Sequence, residues 1–512
     1  MNVDAIMALS IEDMAVFCKK KGFVYPCSEI YGGISGFFDY GPVGVEVKNN
    51  IKQEWWKTFV TARDDMAGID GAIISNPKVW KASGHADCFT DILVECQKCG
   101  NKVRADHMVE DALGQQTDGL SAEDLWKLIE ENDLKCPKCQ GPFSKPTQFN
   151  LMFKTVVGPA ESESSVSYLR PETAQLIFTD FKAVVDNNRM KLPFGIAQIG
   201  KAFRNEISPR DFLFRSREFE QMEIEFFTHP KKTDECPFFS EIQDLNLNIW
   251  TSEAQEAKAD HEKMHLKQLV SSKKANSWQA YWLGMMLRWF MDLGIRQENL
   301  RLREHLKDEL AHYAGACFDI EYNFPFGWKE IHGNADRQQF DLSQHAKFSK
   351  KDMAVFVEET REKVVPAVAT EPSQGVDRAF LAFMFDAYDD DSNRGNVVLK
   401  LHPKLAPFKA AVFPLVNKLD KEAREIHESL KQELPCFFDR SGSVGRRYAR
   451  ADEIGIPYCI TYDFDSKKDK KVTVRNILDT KQARIEISGL KDTIRGLVNG
   501  DIAFEDLKPE KA

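Results

Sequence analysis

The chain has 512 residues, of which 43% are hydrophobic, and its 69 basic and 79 acidic side chains give a formal net charge of −10. This length exceeds the size at which one hydrophobic core usually stops growing, so two or three globular domains are expected. No apolar run approaches the ~20 residues that cross a bilayer, and Asp4, Glu12 and Asp13 precede any basic cluster, which argues against a secretory signal and predicts a cytoplasmic protein without membrane contact.

The first strong helical pattern is YGPVGVEVKNNIKQEWWKTFV, residues 40–60. Trp55, Trp56 and Phe59 give this segment a large apolar face. Such a face suits the core of a domain and a subunit interface equally well, so the pattern leaves both alternatives open.

Four of the eleven cysteines form two C-x2-C pairs, at Cys96 and Cys99 and at Cys136 and Cys139. This spacing predicts a structural zinc knuckle, because four thiolates complete a tetrahedral site. The alternative is that the thiols are relict or merely buried. Between the pairs, SAEDLWKLIEEND predicts a short amphipathic helix, so the region from about 92 to 145 is interpreted as an inserted subdomain.

The remaining cysteines have no ligand spacing. Their odd total number and the missing secretory signal predict reduced thiols, which we interpret as small core residues at positions 18, 27, 88, 236, 317, 436 and 459.

Glu172 lies in the segment RPETAQ, residues 170–175, just before a predicted helix that runs through Leu176, Ile177 and Phe181. Taken alone, this is a helix start with an acidic residue near its first turn.

The segment from Phe203 to Phe227 alternates arginines with glutamates. We interpret it as a hairpin of two strands joined by a turn at residues 208–211. Alternate side chains of such a hairpin share a face, so six residues are predicted to converge on one ligand: Arg204, Glu206, Arg215, Arg217, Phe219 and Glu223. The alternative is an exposed hairpin rich in ion pairs; Arg210 lies within the turn, and Arg189 precedes the segment.

Residues 234–312 contain apolar spacings of three and four that predict long helices, in FFSEIQDLNLNIWTSEAQEA and WLGMMLRWFMDLG. We expect this helical insertion to pack against a catalytic sheet. Its histidines at 261, 265, 305 and 312 have no supporting ligand set, so solvated or capping histidines are favoured over a metal site.

Two segments near residue 350 combine apolar patterns with charged residues. Glu330 lies in a strand-like part of FPFGWKEIHGNADR, residues 324–337. In EPSQGVDRAFLAFMFDAY, residues 371–388, Gly375 opens an apolar helix and Arg378 lies one turn inside. An arginine there can reach a phosphate, while the glycine lets backbone approach it closely.

The polar stretch DDDSNRGN, residues 389–396, predicts a domain boundary. Beyond it, short β-type runs alternate with helical ones, which predicts an α/β domain with a parallel or mixed sheet. This part has 22 basic and 18 acidic side chains and hence a charge of +4, so the rest carries −14. Seven basic residues of this part are candidates for contact with RNA phosphates: Arg446, Arg447, Arg450, Lys467, Lys468, Lys470 and Lys471. An equal alternative is that they only form a solvated surface.

Four separated segments together resemble glycyl-tRNA synthetases of the dimeric class II type. They are residues 40–60, RPETAQ, the segment 203–227 and EPSQGVDR, and they occur in the order that this family has. The match extends over nearly the whole chain. Residues 401–415 and 442–461 also resemble the anticodon-binding domain that glycyl, histidyl, prolyl and threonyl synthetases share.

The resemblance implies an α/β protein: a class II catalytic domain, an antiparallel β-sheet flanked by helices, over residues 1–395, and a C-terminal α/β anticodon-binding domain over residues 396–512. It implies a homodimer that pairs through residues 40–60. The implied reaction uses ATP and Mg²⁺ to convert glycine to glycyl-adenylate and then transfers glycine to tRNA(Gly).

Site residues follow from the same resemblance. It implies three residues central to catalysis, which are Arg204, Glu371 and Arg378. Residues implied for ATP, with Glu206 on the adenine amino group and Phe219 stacked on the adenine, are Arg204, Asn205, Glu206, Phe214, Arg215, Arg217, Phe219, Glu330, Ile331, Gly375 and Arg378. Residues implied for glycine are Arg104, Glu172, Phe219, Glu223, Glu371, Ser373 and Gly375. Glu330 and Glu371 are implied to hold Mg²⁺.

Two other functions compete with this interpretation. Another class II synthetase of the same subgroup would keep the ATP arginines and the C-terminal domain, and would differ only around the amino-acid pocket. A non-catalytic relative that binds nucleic acid would have no reason to keep Arg204, Glu206, Glu371 and Arg378 together, and all four are present.

Overall fold

The computed structural model describes residues 9–114, 117, 120–159, 165–310 and 314–507. His312, one of the four histidines considered above, lies outside the described residues. Within the described part, the chain forms one large β-sheet with helices on both faces, a smaller Cys-rich unit and a C-terminal α/β unit.

The α-helices of the described residues are α1 (Ile11–Lys21), α2 (Gly44–Trp56), α3 (Pro77–Ala82), α4 (His85–Cys88), α5 (Ala105–Leu113), α6 (Ala122–Glu131), α7 (Ala174–Asn188), α8 (Ser252–Glu256), α9 (Leu266–Ser271), α10 (Ser277–Asp292), α11 (Phe340–Ser349), α12 (Val376–Ala387), α13 (Asp420–Leu430), α14 (Val444–Glu453), α15 (Ser466–Asp469) and α16 (Leu490–Asn499).

The strands of the same residues are β1 (Val24–Pro26), β2 (Phe38–Tyr40), β3 (Met66–Ile69), β4 (Thr90–Glu95), β5 (Lys102–Arg104), β6 (Thr147–Asn150), β7 (Lys154–Val156), β8 (Val166–Tyr168), β9 (Phe194–Phe203), β10 (Glu218–Thr228), β11 (Asn246–Trp250), β12 (Glu262–His265), β13 (Leu300–Glu304), β14 (Cys317–Phe324), β15 (Gly327–Ala335), β16 (Val355–Val357), β17 (Glu362–Val364), β18 (Ala367–Gly375), β19 (Tyr388–Asp391), β20 (Asn396–Leu399), β21 (Ala410–Pro414), β22 (Cys436–Phe438), β23 (Tyr458–Tyr462), β24 (Lys471–Asn476) and β25 (Gln482–Glu486).

The central sheet has nine strands in the order β12-β11-β13-β14-β15-β18-β10-β9-β3. Six of its eight strand pairs are described as antiparallel, and the two parallel pairs are β11 with β13 and β3 with β9. This arrangement confirms the predicted antiparallel sheet flanked by helices.

Strand β10 shows how the sheet separates its core from its site. Met222, Ile224 and Phe226 are buried in the main hydrophobic core with residues of α2, α10 and α12. The intervening Glu223 and Glu225 point to the opposite face, because successive side chains of a strand alternate. At the end of that face, Phe227 packs against Phe181 of α7, with ring centroids 4.6 Å apart.

Two predicted helices begin where the motifs require. Helix α7 starts at Ala174, two residues after Glu172, and α12 follows directly on β18 with Gly375 as its N-cap residue. Both predictions are confirmed, as is the strand around Glu330. Ser373, near the end of β18, and Arg378, in the first turn of α12, therefore lie on either side of one strand-to-helix junction.

The arginine-rich segment differs from the predicted hairpin. Strands β9 and β10 do pair antiparallel, but β9 ends at Phe203 and β10 begins only at Glu218. Residues 204–217 therefore form a long connection and not two strand ends around a turn at 208–211. The expected alternation does not apply to Arg204, Glu206, Arg215 and Arg217, whose placement depends on the loop.

The predicted helical insertion is only partly helical. WLGMMLRWFMDLG lies in helix α10, as predicted. The segment FFSEIQDLNLNIWTSEAQEA, in contrast, forms a single 3₁₀ turn, strand β11 and the short helix α8. Strands β11, β12 and β13 all belong to the central sheet, so pairing with β13 overrides the local helical spacing.

The first motif forms helix α2, and its aromatic residues divide between core and surface. Trp55 and Phe59 are fully buried, with ring centroids 5.7 Å apart. Trp56 is only half-buried and covers Gly68, where a Cβ would lie 2.3 Å from its ring. The buried pair therefore belongs to the core, and Trp56 is the aromatic residue of the three that remains partly exposed.

The C-terminal unit has a mixed five-stranded sheet in the order β22-β21-β23-β24-β25, as predicted. Residues 389–396 do not form an unstructured linker, because β19 and β20 pair as an antiparallel hairpin across them. Asn50 of α2 donates hydrogen bonds to the carbonyl oxygens of Leu405 and Ala406, at 3.2 and 2.9 Å. The connection to the C-terminal unit is therefore anchored on the first-motif helix.

Among the described residues, no helix is both long and apolar enough to span a membrane.

One of the predicted phosphate contacts is wrong. Arg447 is 2% exposed and donates hydrogen bonds to the carbonyl oxygens of Pro414 and Gly442. Its guanidinium is thus committed to backbone inside the unit. Arg450 is paired with Asp439, whereas Arg446 is exposed.

This contrast predicts different effects on stability. Arg447→Ala should lower the free energy of unfolding by about 1–3 kcal/mol, because it removes a buried guanidinium and the hydrogen bond that it donates to the buried carbonyl oxygen of Pro414. Arg446→Ala, the matched control one residue earlier, should change it by less than about 0.5 kcal/mol. Urea denaturation of the full chain measures both, and equal stabilities would contradict the structural role of Arg447.

Candidate active site

A cavity of about 540 Å³ opens on the site face of the central sheet. It is bounded by the ends of β10, β14, β15 and β18, the start of α12 and the loop 204–217. Nine of the residues predicted for ATP or glycine line it: Arg204, Glu206, Phe214, Arg215, Phe219, Glu330, Ser373, Gly375 and Arg378.

Arg204 is held in place without an ion pair. Its Nε donates a hydrogen bond to the carbonyl oxygen of Pro171 at 3.1 Å. The guanidinium carbon lies 5.3 Å from the ring centroid of Phe219 and 5.4 Å from that of Phe89. Among the described residues no carboxylate forms an ion pair with Arg204, so its fixed positive charge faces the cavity.

The other arginines of the cavity are already paired. Arg215 donates to Glu206 at 2.9 Å, and Arg378 donates to Glu330 at 2.8 Å. Arg378 also lies over the ring of Phe214, 4.4 Å from its centroid. These pairs fix the side chains at the phosphate end, and a phosphate would compete with the carboxylates for the same donors.

The start of α12 is braced by the first-motif helix. Lys48 of α2 forms ion pairs with Asp377 at 3.0 Å and Glu220 at 3.1 Å. Tyr40 donates to Asp377 at 2.6 Å, and Asp377 accepts the backbone N–H of Glu220 at 2.8 Å. Asp377 precedes Arg378, so these contacts set the direction in which that arginine leaves the helix.

A row of paired positions crosses the sheet next to the cavity. Asp319, Gly333, Ser373, Glu223 and Gln198 are directly opposite one another on β14, β15, β18, β10 and β9. Gly333, which has no side chain, lies between Asp319 and Ser373 in this row. A Cβ at this glycine would lie 3.5 Å from Oε1 of Glu330 and 3.8 Å from Oδ1 of Asp319.

A buried acidic cluster includes Glu223 of this row. Carboxylate oxygens of Glu223, Glu225 and Glu371 all lie within 4.8 Å of one another. Thr173 donates its hydroxyl to Glu223. Both oxygens of Glu225 are buried without a hydrogen-bond partner in the described residues. Burial and the mutual repulsion of the carboxylates raise the pKa of Glu225 well above its ordinary value.

Arg337 compensates much of this negative charge. It donates to Glu371 at 2.7 Å and to both oxygens of Asp341 at 2.7 and 2.9 Å. Burial, opposed by Arg337 and supported by the charges of Glu223 and Glu172, raises the pKa of Glu371 to about 8. The carboxyl of Glu223 also has a raised pKa, first because of burial and then because of Glu172.

Glu172 behaves differently from the rest of the cluster. Burial acts to raise its pKa, but the charge and N–H group of His85, the charge of Arg337 and a hydrogen bond from Gln175 outweigh burial and lower it. At neutral pH, Glu172 is therefore a charged carboxylate that faces neighbours with raised pKa values.

His305, Cys317 and Asp319 form a second group with metal-ligand atoms within 4.8 Å of one another. The geometry is that of an ion pair, with Nε2 of His305 2.8 Å from Oδ2 of Asp319. Burial acts to lower the pKa of His305, but the hydrogen bond to Asp319 raises it to about 11. The sequence interpretation found no ligand set around this histidine and favoured a solvated or capping role, whereas the structure gives it two neighbours with ligand atoms and a partly buried ion pair.

The four cysteines of the C-x2-C pairs come together in the Cys-rich unit. Sγ of Cys96 lies 3.4 Å from that of Cys139, and Sγ of Cys99 lies 3.8 Å from that of Cys136. A tetrahedral zinc with Zn–S bonds of about 2.3 Å requires sulfur atoms about 3.8 Å apart. A Cβ at Gly141 would lie 2.9 Å from Sγ of Cys96, so only glycine fits there. The donor set and its geometry therefore suit zinc.

Several predicted site residues lie outside the cavity wall. Arg217 donates to the backbone carbonyl oxygens of Glu206 and Ser35, at 2.9 and 2.8 Å. Ile331 is fully buried in the main core and is not among the residues that line the cavity. Asn205 is half-buried and donates its backbone N–H to Leu151 at 2.7 Å. Roles for these three residues stay predictions.

Arg104 and Arg189 also lie apart from the buried acidic cluster. Arg104 forms ion pairs with Asp91 at 2.9 Å and with Asp106, on the side of the cavity that holds Glu206 and Arg215. Its assignment to glycine stays a prediction. Arg189 is exposed at the C-terminal cap of α7 and does not line the cavity.

The sequence interpretation missed other cavity residues. His107 and Glu110 of α5 reach the cavity from the Cys-rich unit, and Asp319, Glu321 and Trp328 line its far wall. Burial and the charge of Arg104 lower the pKa of His107 to about 4, so its ring is neutral. The sequence signal that could have pointed to this wall is the placement of Asp319 and Glu321 at alternate positions of a β-type run.

Comparison with known proteins agrees with the geometry. Residues 155–383 match the tRNA synthetase class II core domain (G, H, P, S and T), and residues 409–497 match the anticodon binding domain. The chain therefore contains a class II synthetase core followed by an anticodon-binding domain.

Curated relatives match almost the whole chain. The glycine–tRNA ligase of Caldanaerobacter subterraneus is 45% identical over 487 residues, which cover 94% of this chain and 96% of that protein. Those of Geobacillus thermodenitrificans and Acetivibrio thermocellus are each 46% identical, over 96% and 95% of this chain and 98% of their own lengths. The chain belongs to the glycine–tRNA ligase family and is an aminoacyl-tRNA synthetase of class II.

Proposed function

We propose that the cavity activates glycine with ATP, with the nucleotide on the arginine side and the amino acid on the side of the buried carboxylates. The observation that carries this proposal is that Arg204 and Ser373 line the same cavity, while Ser373 pairs across the sheet with Glu223 of the buried carboxylates. Arg204, unpaired with any described carboxylate, lies on one side, and Glu223, Glu371 and Glu172 lie on the other.

The chemistry requires both regions. The carboxylate of glycine attacks the α-phosphorus of ATP and pyrophosphate leaves, so two anions must approach one another. Positioning and electrostatic stabilisation dominate such phosphoryl chemistry, and the attacking carboxylate needs no general base. Arg204 would bridge the glycine carboxylate and the α-phosphate, and Arg378 would bind the γ-phosphate once Glu330 releases it.

The remaining contacts proposed for the nucleotide also lie on the arginine side of the cavity. Phe219 would stack on the adenine, and Glu206 would accept a hydrogen bond from the adenine amino group. Arg215 would then turn from Glu206 toward the triphosphate. Phe214 and Gly375 would shape the wall beside Arg378, and backbone groups of Asn205 and Ile331 are proposed as further contacts; Arg217 would act through the loop that it supports.

Mg²⁺ is generic to class II synthetases and neutralises charge on the triphosphate. Its proposed ligands are Glu330 and Glu371, whose carboxylates offer the hard oxygen atoms that this ion prefers. The two residues belong to β15 and β18, which are neighbouring strands of the sheet.

The glycine ammonium is proposed to bind Glu172, Glu223 and Ser373. Glycine has no side chain, so its amine must supply the recognition. Every competing amino acid is larger and meets the wall where its Cβ would lie, and steric exclusion of this kind discriminates more strongly than the ~1–3 kcal/mol that one methylene contributes.

The assembly and location are parts of the same proposal. Partly exposed Trp56 on α2 supports a homodimer that pairs through this helix, as the family resemblance implies. The anticodon-binding domain would contact tRNA(Gly) through its exposed basic residues, among them Arg446 and Lys468, in the cytoplasm where tRNA and ATP are present.

The substrate assignment is tested by amino-acid-dependent pyrophosphate exchange. Glycine should support exchange, whereas alanine, serine and proline should not, because each adds a Cβ to the same position. The purified full-length protein with ATP and Mg²⁺ is the sample, and ATP without amino acid is the blank. Exchange with alanine at a rate near that with glycine would contradict the proposed pocket.

Arg204→Ala tests the nucleotide side. The variant should lose on the order of 3 kcal/mol of transition-state stabilisation, comparable with the removal of one preorganised donor. Glycine-dependent pyrophosphate exchange measures the loss. Arg189→Ala, which removes an exposed arginine at the C-terminal cap of α7 outside the cavity, is the control; unchanged exchange in Arg204→Ala would refute the assignment.

We also propose that Cys96, Cys99, Cys136 and Cys139 bind a structural zinc ion. Carefully purified protein should contain about one equivalent of zinc, and Cys136→Ser should lose the metal and lower the unfolding temperature of the protein. Metal analysis and thermal unfolding are the readouts. Cys27→Ser is the control, and less than about half an equivalent of zinc in wild-type protein would contradict the proposal.

A further inference from the structure

His85 is the best-supported residue near the glycine pocket that no motif pointed to. It is the first residue of the short helix α4 and follows Gly84, whose φ of +85° is a left-handed conformation that glycine adopts without strain. Its Nε2 lies 3.2 Å from Oε2 of Glu172, and both side chains are 14% exposed.

Several contacts hold the His85 ring in one orientation. Nδ1 lies 2.8 Å from the hydroxyl of Ser83. The ring meets Trp80 edge-to-face, with centroids 5.7 Å apart, and packs 5.3 Å from Phe89. The amide of Asn150 in β6 donates to the backbone carbonyl oxygen of His85 at 3.2 Å. The imidazole is therefore held by the Ser83 hydroxyl at Nδ1, by two aromatic rings and through its backbone.

The other oxygen of Glu172 is held separately. Gln175 donates its amide to Oε1 of Glu172 at 3.0 Å and to Asp341 at 3.0 Å. The carbonyl oxygen of Gln175 is in turn 2.9 Å from Nε2 of His345. Each oxygen of Glu172 thus has one directional donor, and together they fix the plane of the carboxylate.

The number of protons on each group shows which atom donates the hydrogen bond between His85 and Glu172. An ionised carboxylate only accepts hydrogen bonds, so Nε2 of His85 must carry the hydrogen. The Ser83 hydroxyl has one proton, which either goes to Nδ1 or to the carbonyl oxygen of Trp80 at 3.3 Å. In both arrangements Nε2–H points at Glu172.

We propose that His85 is a positioning residue of the glycine pocket, which orients Glu172 and keeps it available to the ammonium group. This inference rests on the proposed function, in which Glu172 contacts that ammonium. His85 itself touches neither substrate in this proposal and acts through Glu172. The lowered pKa of Glu172 agrees with this role.

Two polar substitutions at His85 distinguish the orientation of Glu172 from a role of the ring in packing alone. His85→Asn retains an amide near the position of Nδ1, where it can still contact Ser83, but it is too short to reach Glu172. His85→Gln extends an N–H toward Glu172. The KM for glycine should rise about tenfold in His85→Asn and by no more than about threefold in His85→Gln, because a hydrogen bond to a charged group is lost only in the first.

The KM for ATP and the unfolding temperature show whether a substitution damages the protein in general. The KM for ATP at saturating glycine should stay at the wild-type value in both variants, as should the unfolding temperature to within a few degrees. Asn76→Ala is the matched control: Asn76 caps α3, the helix that precedes His85, and its side chain accepts the backbone N–H of Lys78. It should loosen the start of α3 without changing the KM for glycine.

A double-mutant cycle completes the test. If His85 acts through Glu172, adding His85→Asn to Glu172→Gln should change the KM for glycine by less than about twofold. A multiplicative effect, or a wild-type KM for glycine in His85→Asn, would overturn the inference while a raised KM in Glu172→Gln leaves the proposed function intact. A wild-type KM in Glu172→Gln would remove both.

Discussion

Burial of carboxyl groups under the central sheet is the constraint on which the site depends. Glu223, Glu225, Glu371 and Asp341 lie together in the interior, and an isolated buried charge is strongly unfavourable. Arg337 donates to two of them, and raised pKa values relieve part of the remaining repulsion. Removing one member of such a network leaves its partners uncompensated, so the acidic region is stable only as a unit that includes Arg337.

The carboxylates, the apolar core and the arginines occupy separate places around the central sheet. Strand alternation in β10 puts carboxylates on one face and the apolar core on the other, so the site cannot spread into the core. Arginines at the phosphate end belong to the loop 204–217 and to α12, where Phe214 and Phe219 keep their guanidinium groups in place. Two regions of opposite charge therefore meet along one edge of the sheet without neutralising each other.

The parts of this arrangement that could be predicted from the sequence are those with local signals. The helix after Glu172, the strand around Glu330 and the helix opened by Gly375 each follow from patterns within a few residues. Residues 239–256 could not be assigned in that way, because pairing of β11 with β13 joins positions about fifty residues apart and overrides helical spacing. Neither could Arg337 or His85, whose importance depends on partners distant in the chain.

The opposite directions of the pKa shifts of Glu172 and of its buried neighbours would give the proposed pocket its direction. Glu172 has a lowered pKa and is oriented at both oxygens, whereas Glu223 and Glu371 have raised pKa values. A cation that enters between them interacts with one fixed charge and with neighbours whose ionisation it favours, since an opposite charge lowers a carboxyl pKa. Binding of an ammonium group would therefore strengthen its own site. A neutral molecule of the same size gains nothing from this coupling, so charge and steric exclusion select the same ligand.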